Sequence, residues 1–187
     1  MDELTSLARA AARGDHGSLA TLVRRTQEDV WRLCAHLVDP ASADDLAQET
    51  YLRAIPALGK FRGDAPVRTW LLAIARRACA AEIGTRSRDR RLAARLAAMP
   101  PGTIGQQEPE PGAQAAAGLL IAALEPDRRA AFVLTQILGC SYAEAAAVCA
   151  CPVGTIRSRV ARAREDLMAM TADADSPGAV PDTAIYP

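Results

Sequence analysis

Aromatic side chains make up only 4% of this sequence, histidines number two, and the formal net charge is zero. His16 and His36 fall in no catalytic pattern, and the chain lacks a Gly-rich phosphate loop, an HExxH and a GxSxG, so it is not read as an enzyme. No run of 18 apolar residues occurs, which leaves no candidate for a membrane span. The start, Met1-Asp2-Glu3, lacks the basic-then-apolar order of a secretory signal, so a cytoplasmic protein is expected. The five cysteines (Cys34, Cys79, Cys140, Cys149, Cys151) are an odd number. Cys149-x-Cys151 is tighter than CxxC and has no paired histidines nearby, so the thiols read as small packing groups, with no metal or cofactor expected.

What the chain does have is helix-forming composition. Half the residues are apolar and Ala is abundant, which favours helices with small faces over sheets. Charge is segregated beneath the zero total. Residues 1–52 hold 5 basic and 9 acidic side chains, and residues 53–95 hold 11 and 3. Residues 96–127 hold none and 4, and residues 128–170 hold 6 and 3. Two basic blocks flanked by acidic ones predict two surfaces for polyanions.

The stretch from Met99 to Gly112 is rich in Pro, Gly and polar residues and cannot propagate a helix, so 99–113 reads as a flexible acidic linker. The expected organisation is two small all-α domains, 1–98 and 114–170, followed by a disordered tail over 171–187.

In the first domain Val30, Leu33, Cys34 and Leu37 form one buried helical stripe. Pro40 is expected to end that helix, with Ser42 or Asp44 capping the next. Over Asp44–Ala57 the inward stripe is Leu46, Ala47, Thr50, Tyr51 and Ala54. Asp45, Gln48, Glu49 and Leu52 lie opposite it, a polar and acidic row with an exposed leucine, as protein-binding faces have. Phe61-Arg-Gly-Asp-Ala-Pro66 reads as a loop. A third helix with Leu71, Ile74, Ala75 and Ala78 inward runs out into Arg86, Arg88, Arg90 and Arg91.

In the second domain Leu119, Leu120, Ala123 and Leu124 precede Glu125-Pro126, where Pro suits a first helical turn. Ala130, Val133, Leu134 and Ile137 repeat the stripe, and Gly139 suits the position after a helix. Ser141-Tyr-Ala-Glu144 is a capping box. A turn at Cys149-Ala-Cys151 leads into a helix with Ile156, Val160, Ala163 and Leu167 inward, and Arg157, Ser158, Arg159 and Arg162 outward. Together these make a helix-turn-helix whose second helix enters the major groove, where Arg reads guanine bidentately while Thr155, Ser158 and other arginines hold phosphates. On this pattern alone a stand-alone transcriptional regulator stays open beside other readings. An RNA-binding adaptor lacks aromatic platforms apart from Phe61 and Trp70.

Three motifs narrow the choice. The segment Ser141–Arg164 resembles region 4 of extracytoplasmic-function sigma factors of the sigma-70 type. Asp44-Asp-Leu-Ala-Gln-Glu-Thr-Tyr-Leu-Arg-Ala54 resembles their region 2.2. Phe61-Arg-Gly-Asp64 with Thr69-Trp-Leu-Leu-Ala-Ile-Ala-Arg76 resembles regions 2.3 and 2.4. The resemblance covers about residues 5–95 and 114–168, in the family's order.

The resemblance implies an alternative sigma factor that binds core RNA polymerase and directs promoter recognition and melting. Asp45, Gln48, Glu49, Leu52 and Arg53 then dock on the β′ clamp helices, with further contact to the β subunit. Phe61, Arg62, Gly63, Asp64, Arg68, Trp70, Arg76 and Arg77 meet the −10 element, where an extruded base needs a pocket. Many members of the family carry Asn where this chain has Arg77. Trp70 reads either as packing or as help in strand separation. Thr155, Arg157, Ser158, Arg159 and Arg162 read the −35 element. The linker, with Glu108 and Glu110, threads toward the active-site cleft and RNA exit path. The resemblance also implies an anti-sigma factor as a further partner.

Overall fold

The computed structural model describes residues 2–96 and 113–175, and among them every regular element is helical. The first group comprises α1 (Glu3–Ala12), α2 (His16–Leu37), α3 (Pro40–Ala57), a 3₁₀ turn (Leu58–Lys60) and α4 (Val67–Leu96). The second comprises α5 (Ala113–Ala123), α6 (Pro126–Phe132), α7 (Tyr142–Cys149) and α8 (Val153–Asp175). Most of the stretch expected as a linker lies outside the described residues. So does most of the expected tail, but α8 carries five residues past 170 before the described chain ends.

The predicted stripes become the core. Val30, Leu33, Cys34 and Leu37 of α2 pack with Leu46 and Ala54 of α3 and with Leu71, Ile74, Ala75 and Ala78 of α4. Apolar burial of this kind supplies roughly 25 cal/mol per Å² and is the main force holding these helices together. Ala130, Val133, Leu134, Ile156, Val160 and Ala163 do the same for the second group. Leu119, expected inward, is 60% exposed, and of its stripe Leu124 is the residue that is buried.

Helix boundaries follow local chemistry, with one correction. Asp39, not Ser42 or Asp44, caps α3. Its carboxylate accepts from the Ser42 N–H at 2.8 Å, and Pro40 occupies the first helical turn, where a missing N–H costs nothing. Arg86 of α4 donates to the same Asp39 and to Ser42 Oγ, both at 2.5 Å, and holds Glu82 at 2.6 Å. This arginine, expected as part of an open basic run, is engaged in fixing the start of α3. The Arg86 guanidinium holds the Asp39 carboxyl below its usual range.

In the second group Ser141 and Glu144 complete the predicted capping box, with Ser141 N–H donating to Glu144 at 2.8 Å and Glu144 N–H to Ser141 Oγ at 3.2 Å. The end of α6 widens into a π-helical turn over Val133–Ile137, closed by Leu138 N–H to Val133 O at 3.0 Å. Gly139 (φ 67°) then turns the chain and Cys140 N–H returns to Leu134 O at 2.9 Å.

The two groups are packed on each other. α7 lies against α4, and α6 reaches α2.

Candidate nucleic-acid and polymerase interfaces

The loop Phe61–Pro66 is fixed from both ends. Thr5 of α1, 5% exposed, accepts the Val67 N–H at 3.2 Å and so caps α4 immediately after the loop. Thr5 Oγ1 donates in turn to Asp2 at 3.0 Å. Gly63 has φ 82°, a backbone conformation that favours glycine, and the end of the flexible Arg9 side chain lies over it. Neither Thr5 nor Arg9 stands out in the sequence, because their role exists only once α1 has folded over the loop.

Behind this loop lies an open cleft of about 310 Å³. Phe61, Arg62, Gly63, Asp64, Trp70 and Arg77 line it together with Lys60 and Thr69. Six of the eight residues expected at the −10 element therefore share one concavity. The Phe61 and Trp70 rings sit 5.2 Å apart with planes tilted by 44°, an aromatic pair at favourable distance. Trp70 is thus half-buried against Phe61 and also faces the cleft. Asp64 and Arg62 pair at 3.1 Å on the exposed rim.

The remaining two, Arg68 and Arg76, point elsewhere. Arg68 Nε donates to Asp29 at 2.7 Å and Nη2 to the Leu138 carbonyl at 2.6 Å, and its Nη1 lies 3.5 Å from the Cys140 thiol. The Asp29 carboxylate raises the Arg68 pKa further, and burial raises that of Cys140. Arg76 pairs with Asp127 at 3.3 Å.

On α8, Arg157, Ser158 and Arg162 are exposed, as the periodicity predicts. Thr155 is half-buried in the first turn of the helix, with its N–H bonded to Pro152 O at 3.0 Å. Arg159 departs from the expectation of an outward side chain. It stands three residues after Ile156 and one before Val160, on the flank of the buried stripe, and its guanidinium folds onto Asp127 and the Cys151 thiol. The turn before α8 closes with Ala150 in the left-handed region (φ 52°) and Cys151 N–H on Ala146 O at 3.1 Å. Burial pushes the neighbouring Cys149 thiol up to about 11, a packing group rather than a nucleophile at neutral pH.

The α3 face is open. Asp45, Gln48, Leu52 and Arg53 are exposed, Leu52 by 66%, and Glu49 pairs with Arg53 at 2.5 Å. Beside it runs a groove between α2 and α3 lined by Val23, Gln27, Trp31, Ala47, Gln48 and Tyr51. Trp31 Nε1 donates to Asp44 at 2.9 Å across the groove, and Tyr51 shares a 2.8 Å hydrogen bond with Thr26 at its floor. The sequence offered one clue to Trp31, its position one residue after the buried Val30.

Comparison with known proteins gives a consistent picture. Residues 22–89 match the family Sigma-70 region 2, and residues 114–167 match Sigma-70, region 4. The ECF RNA polymerase sigma factor SigC of Mycobacterium tuberculosis is 49% identical over 171 residues, covering 90% of this chain and 91% of that protein. The RNA polymerase sigma-H factor of Pseudomonas aeruginosa is 36% identical, covering 82% and 86%. Among solved structures, CnrH in complex with the cytosolic domain of CnrY superposes with a TM-score of 0.70 at 31% identity, over 94% of this chain and 100% of that one.

Proposed function

The chain belongs to the extracytoplasmic-function group of sigma-70 factors, alternative sigma factors that direct transcription initiation, and we propose how its surfaces divide that work. It binds core RNA polymerase and promoter DNA. In our reading the α3 row Asp45, Gln48, Glu49, Leu52 and Arg53 docks on the β′ clamp helices. The second domain, from 114 onward, holds the −35 element with α8, and the first domain, up to 98, opens the −10 element.

The observation that carries this reading is the cleft behind Phe61–Pro66. Melting requires a base to leave the stack, and its Watson–Crick edge then needs polar partners beside an apolar wall. Phe61 and Trp70 give the wall, Asp64 an acceptor for an amino group, and Arg62 and Arg77 positive charge for the strand. Arg68 and Arg76 join them on the phosphates once released from their protein partners. The chain supplies no catalysis. Phosphodiester chemistry belongs to the polymerase, and the work takes place in the cytoplasm, on the nucleoid.

Asp64→Ala tests this. Open-complex formation, read by permanganate reactivity of thymines, is expected to fall more than closed-complex binding. Equal losses in both would reduce Asp64 to a loop-stabilising residue.

CnrH is solved with the cytosolic domain of CnrY. We propose that this chain too takes a protein partner, and that the partner is an anti-sigma factor, as its family resemblance implies.

A further inference from the structure

The polar residues buried among the described ones are all threonines: Thr5, Thr26, Thr50 and Thr69. Three of these hydroxyls are satisfied within the chain. Thr5 Oγ1 accepts from the Val67 N–H at 3.2 Å and donates to Asp2 at 3.0 Å. Thr26 donates to the Leu22 carbonyl at 2.8 Å, and Thr50 to that of Leu46 at 2.7 Å. Both are bonds back to the residue four earlier on the same helix. Thr69 is the exception. It is 3% exposed, and its hydroxyl has no partner among the described residues.

Its place in the chain gives the reason. Thr69 is the third residue of α4, so the residue four before it, Ala65, belongs to the loop ahead of the helix. No helical carbonyl stands behind it as that of Leu46 stands behind Thr50. A buried hydroxyl without a partner is costly, because folding removes its water and gives nothing back. Buried polar groups are normally paired, so this one asks for an explanation. What Thr69 lines is the −10 cleft, the same concavity of about 310 Å³ that Phe61, Asp64 and Trp70 line.

We propose that Thr69 is a base-reading residue, its hydroxyl kept for the Watson–Crick edge of the base extruded into this cleft, and that with Asp64 it selects an amino-bearing base, adenine or cytosine. The inference rests on the assignment of the cleft to an extruded base made above. Phe61 and Trp70 offer ring faces on which any base stacks, so they discriminate little. The Asp64 carboxylate only accepts, and takes the exocyclic amino group. In adenine and cytosine the ring nitrogen beside that amino group is an acceptor, and the Thr69 hydroxyl donates to it. Guanine and thymine place a carbonyl oxygen where the amino group would stand, so two acceptors meet with no proton between them. The right base therefore satisfies a group that the free chain leaves unpaired, and a wrong one does not.

The test uses holoenzyme and fork-junction DNA whose non-template −10 strand is single-stranded, with A, C, G or T at each position in turn. Wild type is expected to favour adenine or cytosine at one position. Thr69→Val keeps the branched shape and removes the hydroxyl. It should weaken binding of the favoured base by about two- to tenfold, the factor for one neutral hydrogen bond, and leave the other positions unchanged. The deaza analogue of the favoured base, 1-deazaadenine or 3-deazacytosine, lacks the ring acceptor, so on it Thr69→Val should cost nothing further. Thr69→Ser should recover most of the binding of the natural base. The free chain gives an independent readout. Thr69→Val is expected to melt no lower than wild type, since the hydroxyl bonds nothing there, and a lower midpoint would assign it to the fold instead. Wild-type base preference in Thr69→Val, or equal losses on the natural and deaza bases, overturns the inference while Asp64→Ala still lowers open-complex formation. If Asp64→Ala has no effect either, the cleft holds no base, and both readings fall together.

Discussion

The backbone N–H of Val67 donates to Oγ1 of Thr5 across 62 positions of sequence, so the first helix caps the helix that carries the −10 cleft. An unsatisfied N–H at a buried helix start is costly, and this one has no other acceptor of its own turn. Thr5→Val keeps the shape and removes the acceptor. It is expected to lower stability by about 0.5–2 kcal/mol, the usual range for a lost cap. Thr5→Ser should recover most of it. Thermal melts of the three proteins decide, and an unchanged midpoint for Thr5→Val would show that water replaces the cap.

The start of α3 predicts an acid limb. Asp39 has its pKa lowered, first by the hydrogen bond from Arg86. A carboxyl depressed in the folded state contributes stability that is present above its unfolded pKa, near 3.8, and lost as pH falls through the folded value. Stability is therefore expected to drop as pH goes below about 4, and less steeply in Asp39→Asn, which keeps a cap but not the charge. The carboxylate is one-third exposed, so solvent screening keeps the effect modest. Urea unfolding at pH 7, 4 and 3 reads it, and parallel curves for wild type and Asp39→Asn would remove Asp39 from the acid limb.

On the α3 face, Glu49→Lys should weaken core-polymerase binding while the fold survives, since the side chain is 45% exposed. The substitution also sets a like charge beside Arg53, which now pairs with Glu49. Titration of labelled chain with core polymerase checks the first point and circular dichroism the second. Wild-type affinity with wild-type transcription would take this row out of the docking surface.

Much of this architecture is legible in the sequence because it is local. The stripes of α2, α4 and α8, the Ser141–Glu144 box and the Gly139 turn all depend on spacings of three or four residues. What was not legible depends on partners far away. Pro40 reads equally as the end of α2 or the first turn of α3; it is the latter, which puts the cap at Asp39, and Arg86, 47 residues on, holds that carboxylate. Arg68 and Arg76 read as open cations because nothing near them in sequence announces Asp29, Leu138 or Asp127. Arg159 reads as outward because 100° steps leave the edge of a stripe ambiguous, and the carboxylate of Asp127, 32 residues earlier, draws it onto the flank.

That last difference sharpens the expectation for the recognition helix. Arg157 and Arg162 are exposed on α8, while Arg159 is held by Asp127. Arg157 lies near the helix start, the part that enters the major groove first. Arg157→Ala should therefore cost little folding stability, since Ile156, Val160 and Ala163 carry the packing. A lost base contact is expected to cost about 1–3 kcal/mol for the cognate −35 element, and to flatten preference at one base position. Arg162, more than a turn further on, should instead give the phosphate pattern, weakening all sequences alike and reducing the salt slope by about one unit. Arg159→Ala is expected to cost less than Arg157→Ala, since its guanidinium is engaged by Asp127 rather than presented to solvent. The measurement is holoenzyme affinity across single-base −35 variants at two salt concentrations, with the free chain alongside. If neither Arg157→Ala nor Arg159→Ala alters base preference, α8 holds the DNA backbone without reading its sequence.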